Sequence, residues 1–366
     1  MLERIGEIES LAAARLDPAL VDRLARLPAR DGGLHFYTPT FKSYSTSEIS
    51  GCGQSAWPAV SITGAACKLQ CDHCKAKILA PMIAATTPEA LWRVVNERIA
   101  AGAKGMLLTG GSNHRNEVEY GPFLPTVERI KAQHPGFRIA IHTALVERDM
   151  AKAIEAAGVD AAMLDVIGAQ DTVSQVYHLR RPVAEFERSL EALVGTAMHV
   201  VPHIVLGLHY GRLLGEWAAL EMIARHRPAA LVLVVAMPFY APAQRPFVVP
   251  GAAAVGRFFL DARRALPDVP LLLGCARPAG RAKLEIDAYA VLAGLSGIAH
   301  PAEGVVELAL RLGRDVKVSS ACCSIAVGEA VLAMEDPDAP RIDPALIAAN
   351  ARRRRGGLAR IAVVAG

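Results

Sequence analysis

Eight short apolar runs, separated by longer amphipathic stretches, constrain the fold of this chain more than any other feature. The runs occupy residues 59–63, 105–109, 137–142, 161–166, 199–206, 231–237, 270–274 and 297–300. Most of the stretches between them have the length and apolar periodicity of a helix. Short apolar runs that alternate with helices indicate βαβ units and a parallel sheet. We therefore predict an α/β fold, a closed (β/α)8 TIM-type barrel, with a partial (β/α)6 barrel as the alternative.

The eight runs define a predicted barrel domain over residues 59–301. Residues 1–58 are predicted to form an N-terminal extension, which is helical at first and then extended and aromatic. Residues 302–334 are predicted to form a helix and a strand that close the barrel, and residues 335–366 a tail. A chain of 366 residues is long enough for one large barrel.

Charge and cysteine content exclude several classes of protein. The net charge is +4 without a broad basic face, so nucleic acid is not an expected partner. The seven cysteines are an odd number, which argues against a disulfide framework and for a reducing compartment. The longest apolar runs are about half the length of a bilayer span, and the first ten residues lack the features of a signal peptide. We expect a cytoplasmic protein that does not bind membranes.

Three cysteines, Cys67, Cys71 and Cys74, follow the first run with the spacing C-x3-C-x2-C. The small residues 64–66 just before them let the backbone approach a cluster closely. Three thiolates leave one iron of a [4Fe-4S] cluster open, and a small molecule can be bound and reduced there. A zinc site or three core thiols are the alternatives, although zinc usually takes four ligands in two paired turns.

This cysteine spacing resembles that of the radical S-adenosylmethionine (SAM) enzymes, and the resemblance implies a [4Fe-4S] cluster that binds SAM. Gly110 and Gly111, at the end of the second run, resemble the glycine pair with which this family contacts the SAM amino group. Ser112 stands where the family usually has an acidic residue, so contact through backbone carbonyls is expected, with Asn113 beside it. A plain strand-to-helix turn is the alternative.

Five further residues are predicted to belong to the SAM pocket. The segment that begins at Asp171 resembles the ribose-binding region of biotin synthase, although a helix N-cap is the alternative. Run five, with Ile204, resembles the family segment that packs on adenine, and His73 is predicted to stack on the same ring. His142 and Asp165 end runs three and four, where the barrel geometry places an active site. For His142 a rim position without a ligand is the alternative.

The remaining cysteines, Cys52, Cys275, Cys322 and Cys323, flank the barrel on both sides. In a closed barrel strand eight lies beside strand one, so these thiols can converge at one side of the mouth. They are predicted to hold a second, auxiliary [4Fe-4S] cluster, with buried structural cysteines as the alternative. Arg277 is predicted to hydrogen-bond a bridging sulfide or a SAM carboxylate there.

Four segments together resemble one half of the two-component lipoyl synthase, whose members are often labelled biotin-synthase-like. They are residues 36–42, the cysteine loop, residues 274–278 and the Cys322–Cys323 pair, and the resemblance covers residues 36–324. The chain lacks the N-terminal cysteine trio of single-chain lipoyl synthase. It also lacks cysteines in the middle stretch where biotin synthase carries those of its second cluster.

The resemblance implies a sulfurtransferase that acts by sulfur insertion. An electron cleaves SAM to methionine and a 5′-deoxyadenosyl radical, which takes a hydrogen atom from an octanoyl chain on a protein lysine. The carbon radical then takes sulfur from the auxiliary cluster. The implied partners are an octanoylated lipoyl-domain protein, a sibling radical SAM protein, and ferredoxin or flavodoxin as low-potential electron donor.

Two alternatives remain open. The first is a radical SAM enzyme of another reaction, such as methylthiolation, mutase or cofactor-maturation chemistry. The second is a non-catalytic iron–sulfur or zinc protein. No acid–base residue is predicted, because the sequence carries no recognisable Ser/His/Asp or paired-carboxylate set.

Overall fold

The structure, a computed structural model, describes residues 2–28, 33–39, 44–51, 56–237, 240, 242–322, 325 and 340–349. The strands are short and mostly buried: β1 (Leu34–Tyr37), β2 (Ala59–Ser61), β3 (Ile83–Ala84), β4 (Gly105–Thr109), β5 (Arg138–His142), β6 (Ala161–Asp165), β7 (His199–Leu206), β8 (Leu231–Val235), β9 (Leu271–Leu273), β10 (Gly297–Ala299) and β11 (Val316–Ser319). Within the described residues they form one parallel sheet with the order β11-β1-β10-β9-β8-β7-β6-β5-β4-β2-β3.

The sheet is accompanied by these α-helices, of which the first two precede β1: α1 (Leu2–Gly6), α2 (Pro18–Ala25), α3 (Pro88–Ala100), α4 (Leu124–Gln133), α5 (Arg148–Ala156), α6 (Gln170–Gln175), α7 (Ala184–Val194), α8 (Glu216–Ala224), α9 (Ala252–Ala265), α10 (Arg281–Leu292) and α11 (Val305–Arg311). Each of the eight apolar runs contains one strand, and a helix lies between successive strands from β4 onward. The predicted α/β alternation is therefore confirmed.

The sheet is a curled half-barrel, so the TIM-type prediction is confirmed in its partial form. Among the described residues, β3 and β11 are the two edges of the sheet, and no pairing joins them. Strand eight of the prediction, β10, pairs with β1 through His35 and Gly297 instead of lying beside β2. All four residues of β1 are buried, as is typical of a strand inside a parallel sheet. This strand comes from the segment assigned to the N-terminal extension.

Side chains on the two faces of the sheet form two cores, because successive residues of a strand point to opposite faces. The larger core lies between sheet and helices. The smaller one lies inside the curl and includes Tyr37, Trp57, Met163 and Val232. Tyr37 on β1 and Trp57 just before β2 share this cluster although their strands lie near opposite ends of the sheet. The sheet thus encloses one interior. None of the described helices has the length and apolar character needed to cross a membrane.

A buried carboxylate fastens the segment 44–51 to the start of α11. Glu48 Oε2 accepts hydrogen bonds from the backbone N–H of Gly304 at 2.8 Å and of Val306 at 3.3 Å, and Oε1 accepts one from Glu307 at 2.7 Å. Glu48 is 6% exposed. Burial raises the pKa of Glu48 from its ordinary value of 4.5 to about 7, because water no longer solvates the charged form.

This carboxylate predicts a specific pH dependence of stability. Between pH 4.5 and about pH 7 the folded protein binds more protons at Glu48 than the unfolded chain. The free energy of unfolding therefore falls as pH rises through that window. Glu48→Gln keeps a side-chain oxygen acceptor but cannot titrate. We expect the difference in urea stability between wild type and E48Q to change by up to about 3 kcal/mol between pH 4 and pH 8.

The matched control is Glu128→Gln, an exposed carboxylate inside α4 and beyond its first turn. Its stability should follow that of wild type at every pH. Parallel stability curves for wild type and E48Q would contradict the role given to Glu48.

Candidate functional site

A cavity of about 350 Å³ opens at the carboxyl-terminal ends of the strands. Most of the residues that the sequence marks as functional line it: Cys67, Cys71, His73, Cys74, Gly110, Gly111, Ser112, His142, Asp165, Cys275 and Cys322. The wall on the β7 and β8 side is apolar, with Val205, Val232, Val234 and Met237. Cys275 and Cys322 therefore share one space with the cysteine loop, although β10 pairs with β1 and does not close the predicted barrel against β2.

The cysteine loop folds back on itself directly after β2. The backbone N–H groups of Cys74 and Lys75 donate to the carbonyl of Cys71, at 3.2 and 2.9 Å. The Gln70 side-chain amide donates to the carbonyl of Cys67 at 2.7 Å, and Gln70 itself has a left-handed backbone with φ 51°. These local bonds close the loop and leave all three thiols on the cavity side.

Gly111 lies directly against the cysteine loop. A Cβ atom at this position would stand 2.0 Å from the Ala66 carbonyl oxygen and 2.6 Å from Cys67 Cα. Hydrogen bonds fix the contact, since Gly111 N donates to Thr63 Oγ1 at 2.7 Å and Lys68 N donates to the Ser112 carbonyl at 2.9 Å. Only glycine fits here, so the glycine pair is built into the cysteine site.

Two of the thiols, Cys71 and Cys74, lie in an environment that disfavours their charged form. Burial, followed by repulsion from the neighbouring thiols, raises the pKa of Cys71 far above its ordinary range. Burial raises the pKa of Cys74 to about 11. A bound cationic cluster would hold these groups as thiolates. In the described part of the chain, no three or more His, Cys, Asp or Glu side chains gather closely enough to hold a single metal ion.

Asp72, between two of the cysteines, is a site residue that sequence reasoning missed. Asp72 Oδ1 lies 2.7 Å from Lys75 Nζ and 2.9 Å from His178 Nε2. Asp72 Oδ2 accepts a hydrogen bond from the Tyr210 hydroxyl at 2.7 Å. Arg245 Nη1 lies 3.3 Å from Oδ2. We call these five residues the Asp72 clamp. It joins the cysteine loop to the loops that follow β6, β7 and β8, and no sequence spacing signals it.

Opposed influences set the protonation of this carboxyl. Burial alone would raise the pKa of Asp72, but hydrogen bonds from Lys75, His178 and Tyr210 lower it well below its ordinary range. Asp72 is thus a carboxylate at neutral pH and holds its partners by charge-assisted hydrogen bonds.

Polar groups gather at the ends of β5, β6 and β7. His142 Nε2 lies 3.7 Å from Asp165 Oδ1, and the rings of His142 and His203 are 5.6 Å apart. Burial alone would raise the pKa of Asp165, but the hydrogen bond and charge of His142 lower it to about 2. Burial lowers the pKa of His203 to about 4. The cavity therefore offers the Asp165 carboxylate beside the neutral imidazole of His203, and both can accept hydrogen bonds from amino or hydroxyl groups.

Two buried polar atoms at the cavity have no hydrogen-bond partner within the described structure. They are Nδ1 of His73 and the hydroxyl oxygen of Tyr177. The two rings are 5.2 Å apart and both line the cavity. Buried polar groups are nearly always satisfied, so these atoms indicate room for a polar ligand. The structure places His73 at the cavity wall, and stacking of its ring on adenine stays a prediction.

Asn113 does not line the cavity, although its three predecessors do. Its side-chain oxygen accepts from the backbone N–H groups of Arg115 and Glu117, at 2.8 and 3.1 Å. The amide thus closes a local turn, as asparagine often does. Asn116, with a left-handed backbone at φ 59°, lines the cavity in its place. The structure therefore does not support a cofactor contact by Asn113.

Ile204 faces the helices and not the cavity. It is 1% exposed and belongs to the outer core, whereas His203 and Val205 line the cavity. The two-residue period of a strand decides this, because neighbouring side chains point to opposite faces. A ligand that packs on β7 would meet Val205, so the predicted adenine contact by Ile204 is corrected.

Asp171 lies in the first turn of α6 and is exposed. It does not line the cavity, and the N-cap position of the helix is Ala169. The structure therefore supports neither the predicted ribose contact nor the alternative N-cap. Asp165, at the end of β6, is the carboxylate on this side of the cavity.

Arg277 is buried behind Cys275 and does not line the cavity. Its guanidinium is engaged with Asp287 and with two backbone carbonyls, which leaves it unsuited to the predicted cofactor contact. Of the predicted auxiliary ligands, Cys275 and Cys322 line the cavity. Cys52 and Cys323 lie outside the described residues.

Solved structures share this fold. HydG, described as a maturase of the [FeFe]-hydrogenase, is 12% identical with a TM-score of 0.54, over 88% of this chain and 75% of the other. HydG from Carboxydothermus hydrogenoformans is 14% identical with a TM-score of 0.54, over 88% and 78%. Methylornithine synthase is 11% identical with a TM-score of 0.52, over 86% and 94%. No protein-family model and no curated protein matches the sequence. At these identities the likeness concerns the fold.

Proposed function

We propose that this protein is a radical SAM enzyme in which Cys67, Cys71 and Cys74 hold a [4Fe-4S] cluster. The observation that carries the proposal is the convergence of these thiols, the glycine pair, Cys275 and Cys322 on one cavity. We further propose that Cys275 and Cys322, with Cys52 and Cys323, hold an auxiliary [4Fe-4S] cluster. The reaction is then sulfur insertion into a protein-bound octanoyl chain, as in one half of a two-component lipoyl synthase.

The residues of the cavity fit a cluster with SAM. Gly111 leaves no space for a side chain between the glycine pair and Cys67, so backbone groups of residues 110–112 can approach a ligand on the cluster. The unpartnered atoms of His73 and Tyr177 suit the polar parts of SAM, and Asp165 suits its hydroxyl groups. When bound, the cluster and SAM would together supply the radical that removes a hydrogen atom from an unactivated carbon.

The apolar wall fits the substrate side of the proposal. Val205, Val232, Val234 and Met237 line the cavity on the β7 and β8 side. An alkyl chain buried there loses contact with water, and a dry cavity protects reactive intermediates from side reactions. The protein would thus position the alkyl chain between the two sets of cysteines and exclude water. No side chain is assigned as an acid or a base.

The partners and location follow from the same proposal. An octanoylated lipoyl-domain protein would bring the chain, a sibling radical SAM protein would complete the reaction, and ferredoxin or flavodoxin would deliver electrons. The odd number of cysteines supports a reducing, cytoplasmic location.

A radical SAM enzyme of another reaction is the second candidate. It is favoured by the shared fold with a hydrogenase maturase and with methylornithine synthase. Such an enzyme needs the Cys67 site but not the auxiliary cysteines. Iron content separates the two candidates, because two cubanes contain about eight irons and one contains about four.

The decisive experiment measures iron and sulfide in anaerobically purified protein. We expect about eight irons per chain in wild type and about four in Cys275→Ala, with SAM cleavage under dithionite retained in the variant. Val234→Ala is the matched control. Its side chain lies beside Gly274 in the cavity wall but offers no metal ligand, so it should keep about eight irons.

A wild type with about four irons would remove the auxiliary cluster and favour the second candidate. A protein that binds no iron and cleaves no SAM would overturn the whole proposal.

A further inference from the structure

A buried ion pair lies directly behind Cys275. Arg277 is 4% and Asp287 0% exposed. Arg277 Nε donates to Asp287 Oδ1 at 2.6 Å, and Nη2 donates to Oδ2 at 3.0 Å. Such a two-point contact fixes the plane of the guanidinium. The remaining donors of Arg277 therefore have set directions.

Those donors hold the ends of two neighbouring strands. Nη1 donates to the carbonyl of Gly274, the residue before Cys275, at 2.7 Å. Nη2 donates to the carbonyl of His300, just after β10, at 2.9 Å. Lys283 Nζ donates to the same carbonyl at 2.6 Å and to Asp287 Oδ2 at 3.1 Å. One buried side chain thus fixes the position from which Cys275 enters the cavity.

The network continues toward the second auxiliary cysteine. The His300 ring lies 2.9 Å from the carbonyl of Pro39, which lines the cavity. One residue earlier, Thr38 N donates to the carbonyl of Ser319 at 3.0 Å, at the end of β11. Cys322 follows three residues later. Hydrogen bonds therefore connect the end of β9 to that of β10, β10 to β1, and β1 to β11. Cys275 follows the first strand of this series, and Cys322 follows the last.

We propose that Arg277 and Asp287 are a positioning pair that holds Cys275 as a ligand for a second metal cluster at this cavity. The inference rests on the proposed function and adds residues that touch neither cluster nor substrate. A buried ion pair is costly to desolvate, and an apolar pair of similar volume often serves stability as well. What an apolar pair lacks is a planar fork of donors directed at chosen carbonyls. The geometry points to that directional role.

The test compares Arg277→Lys with a matched variant at the amino-terminal side of the strands, away from the cavity. R277K keeps both charges of the buried pair and is therefore expected to fold. A lysine ammonium is a single point charge on a flexible stem, so it cannot hold Asp287 and both carbonyls at once. The control is Asp160→Asn, which disrupts the ion pairs of Asp160 with Lys131 and Arg138, each at 2.8 Å, just before β6.

The readouts are iron per chain, the thermal midpoint, and the paramagnetic resonance signal of the reduced protein with and without SAM. A SAM-insensitive signal belongs to a cluster without an open iron. We expect R277K to lose that signal and to keep about four of eight irons, with SAM cleavage retained. D160N should lower the thermal midpoint while keeping both signals. If R277K keeps about eight irons and the SAM-insensitive signal, the positioning role is overturned.

Two other results of this experiment also have a defined meaning. If wild type itself holds about four irons, the auxiliary cluster of the proposed function fails, and this inference fails with it. If R277K does not fold, Arg277→Met with Asp287→Leu takes its place, since removal of both buried charges is often neutral for stability. That double variant also lacks the hydrogen bond to Gly274, so retention of its SAM-insensitive signal would overturn the positioning role.

Discussion

Replacing Gly111 with alanine is expected to abolish iron binding by Cys67, Cys71 and Cys74, and SAM cleavage with it. The new Cβ would lie 2.0 Å from the Ala66 carbonyl oxygen and 2.7 Å from Cys67 Cβ. The Ala66 oxygen belongs to the backbone and Cys67 Cβ is attached directly to it, so neither atom can move alone. Hydrogen bonds from Gly111 N to Thr63 Oγ1 and from Lys68 N to the Ser112 carbonyl hold the glycine pair against the cysteine loop. The cysteine loop must therefore move, and overpacking of this kind destabilises by about 1–3 kcal/mol.

Three measurements check this expectation: iron per chain, SAM cleavage under dithionite, and the thermal midpoint. Gly136→Ala is the matched control, because a Cβ there meets no atom within 4 Å. Cys71→Ala, which removes a proposed cluster ligand, serves as the reference for complete loss of SAM cleavage. A G111A protein with wild-type iron and cleavage would show that the close packing of the glycine pair is not needed.

Replacing Asp72 with alanine is expected to release the cysteine loop from the rest of the cavity mouth. The side chain holds Lys75, His178 and Tyr210 by hydrogen bonds of 2.7 to 2.9 Å. A hydrogen bond to a charged group contributes about 1.5–3 kcal/mol, and the partly exposed partners regain water when it is lost. We therefore expect a net loss of about 2–3 kcal/mol in the free energy of unfolding and at least a tenfold fall in SAM cleavage.

Urea unfolding and cleavage rates test this prediction. Asp268→Ala, at an exposed position before β9, should change neither. Asp72→Asn keeps the shape but not the charge and should fall between wild type and D72A. Unchanged cleavage in D72A would show that the clamp stabilises the fold without positioning the loop.

The sequence predicts the alternation of strands and helices well, because strand and helix periodicities are local properties. It fails for β1. Residues 34–37 are all buried, and their partners β10 and β11 lie at the far end of the sequence. A short segment whose pairing depends on distant partners cannot be recognised from its own residues.

The site was predictable where backbone spacing decides it, as in the cysteine loop and the glycine pair. It was not predictable where side-chain direction decides it. Ile204 and Val205 differ by one residue on β7 and face opposite sides of the sheet. Arg277 lies two residues after Cys275, yet its side chain points away from the cavity and contacts Asp287. Asp72 acquires its role from Tyr210 and Arg245, which are distant in sequence.

The position of β1 in the sheet affects the order in which the two sides of the cavity can form during synthesis. β1 is made early, but both strands that flank it are made late, and long-range pairing is slow because a large loop must close first. The cysteine loop needs only partners up to residue 245. We therefore expect the Cys67 side to be ready for metallation earlier in synthesis than the Cys275 and Cys322 side, which needs β10 and β11.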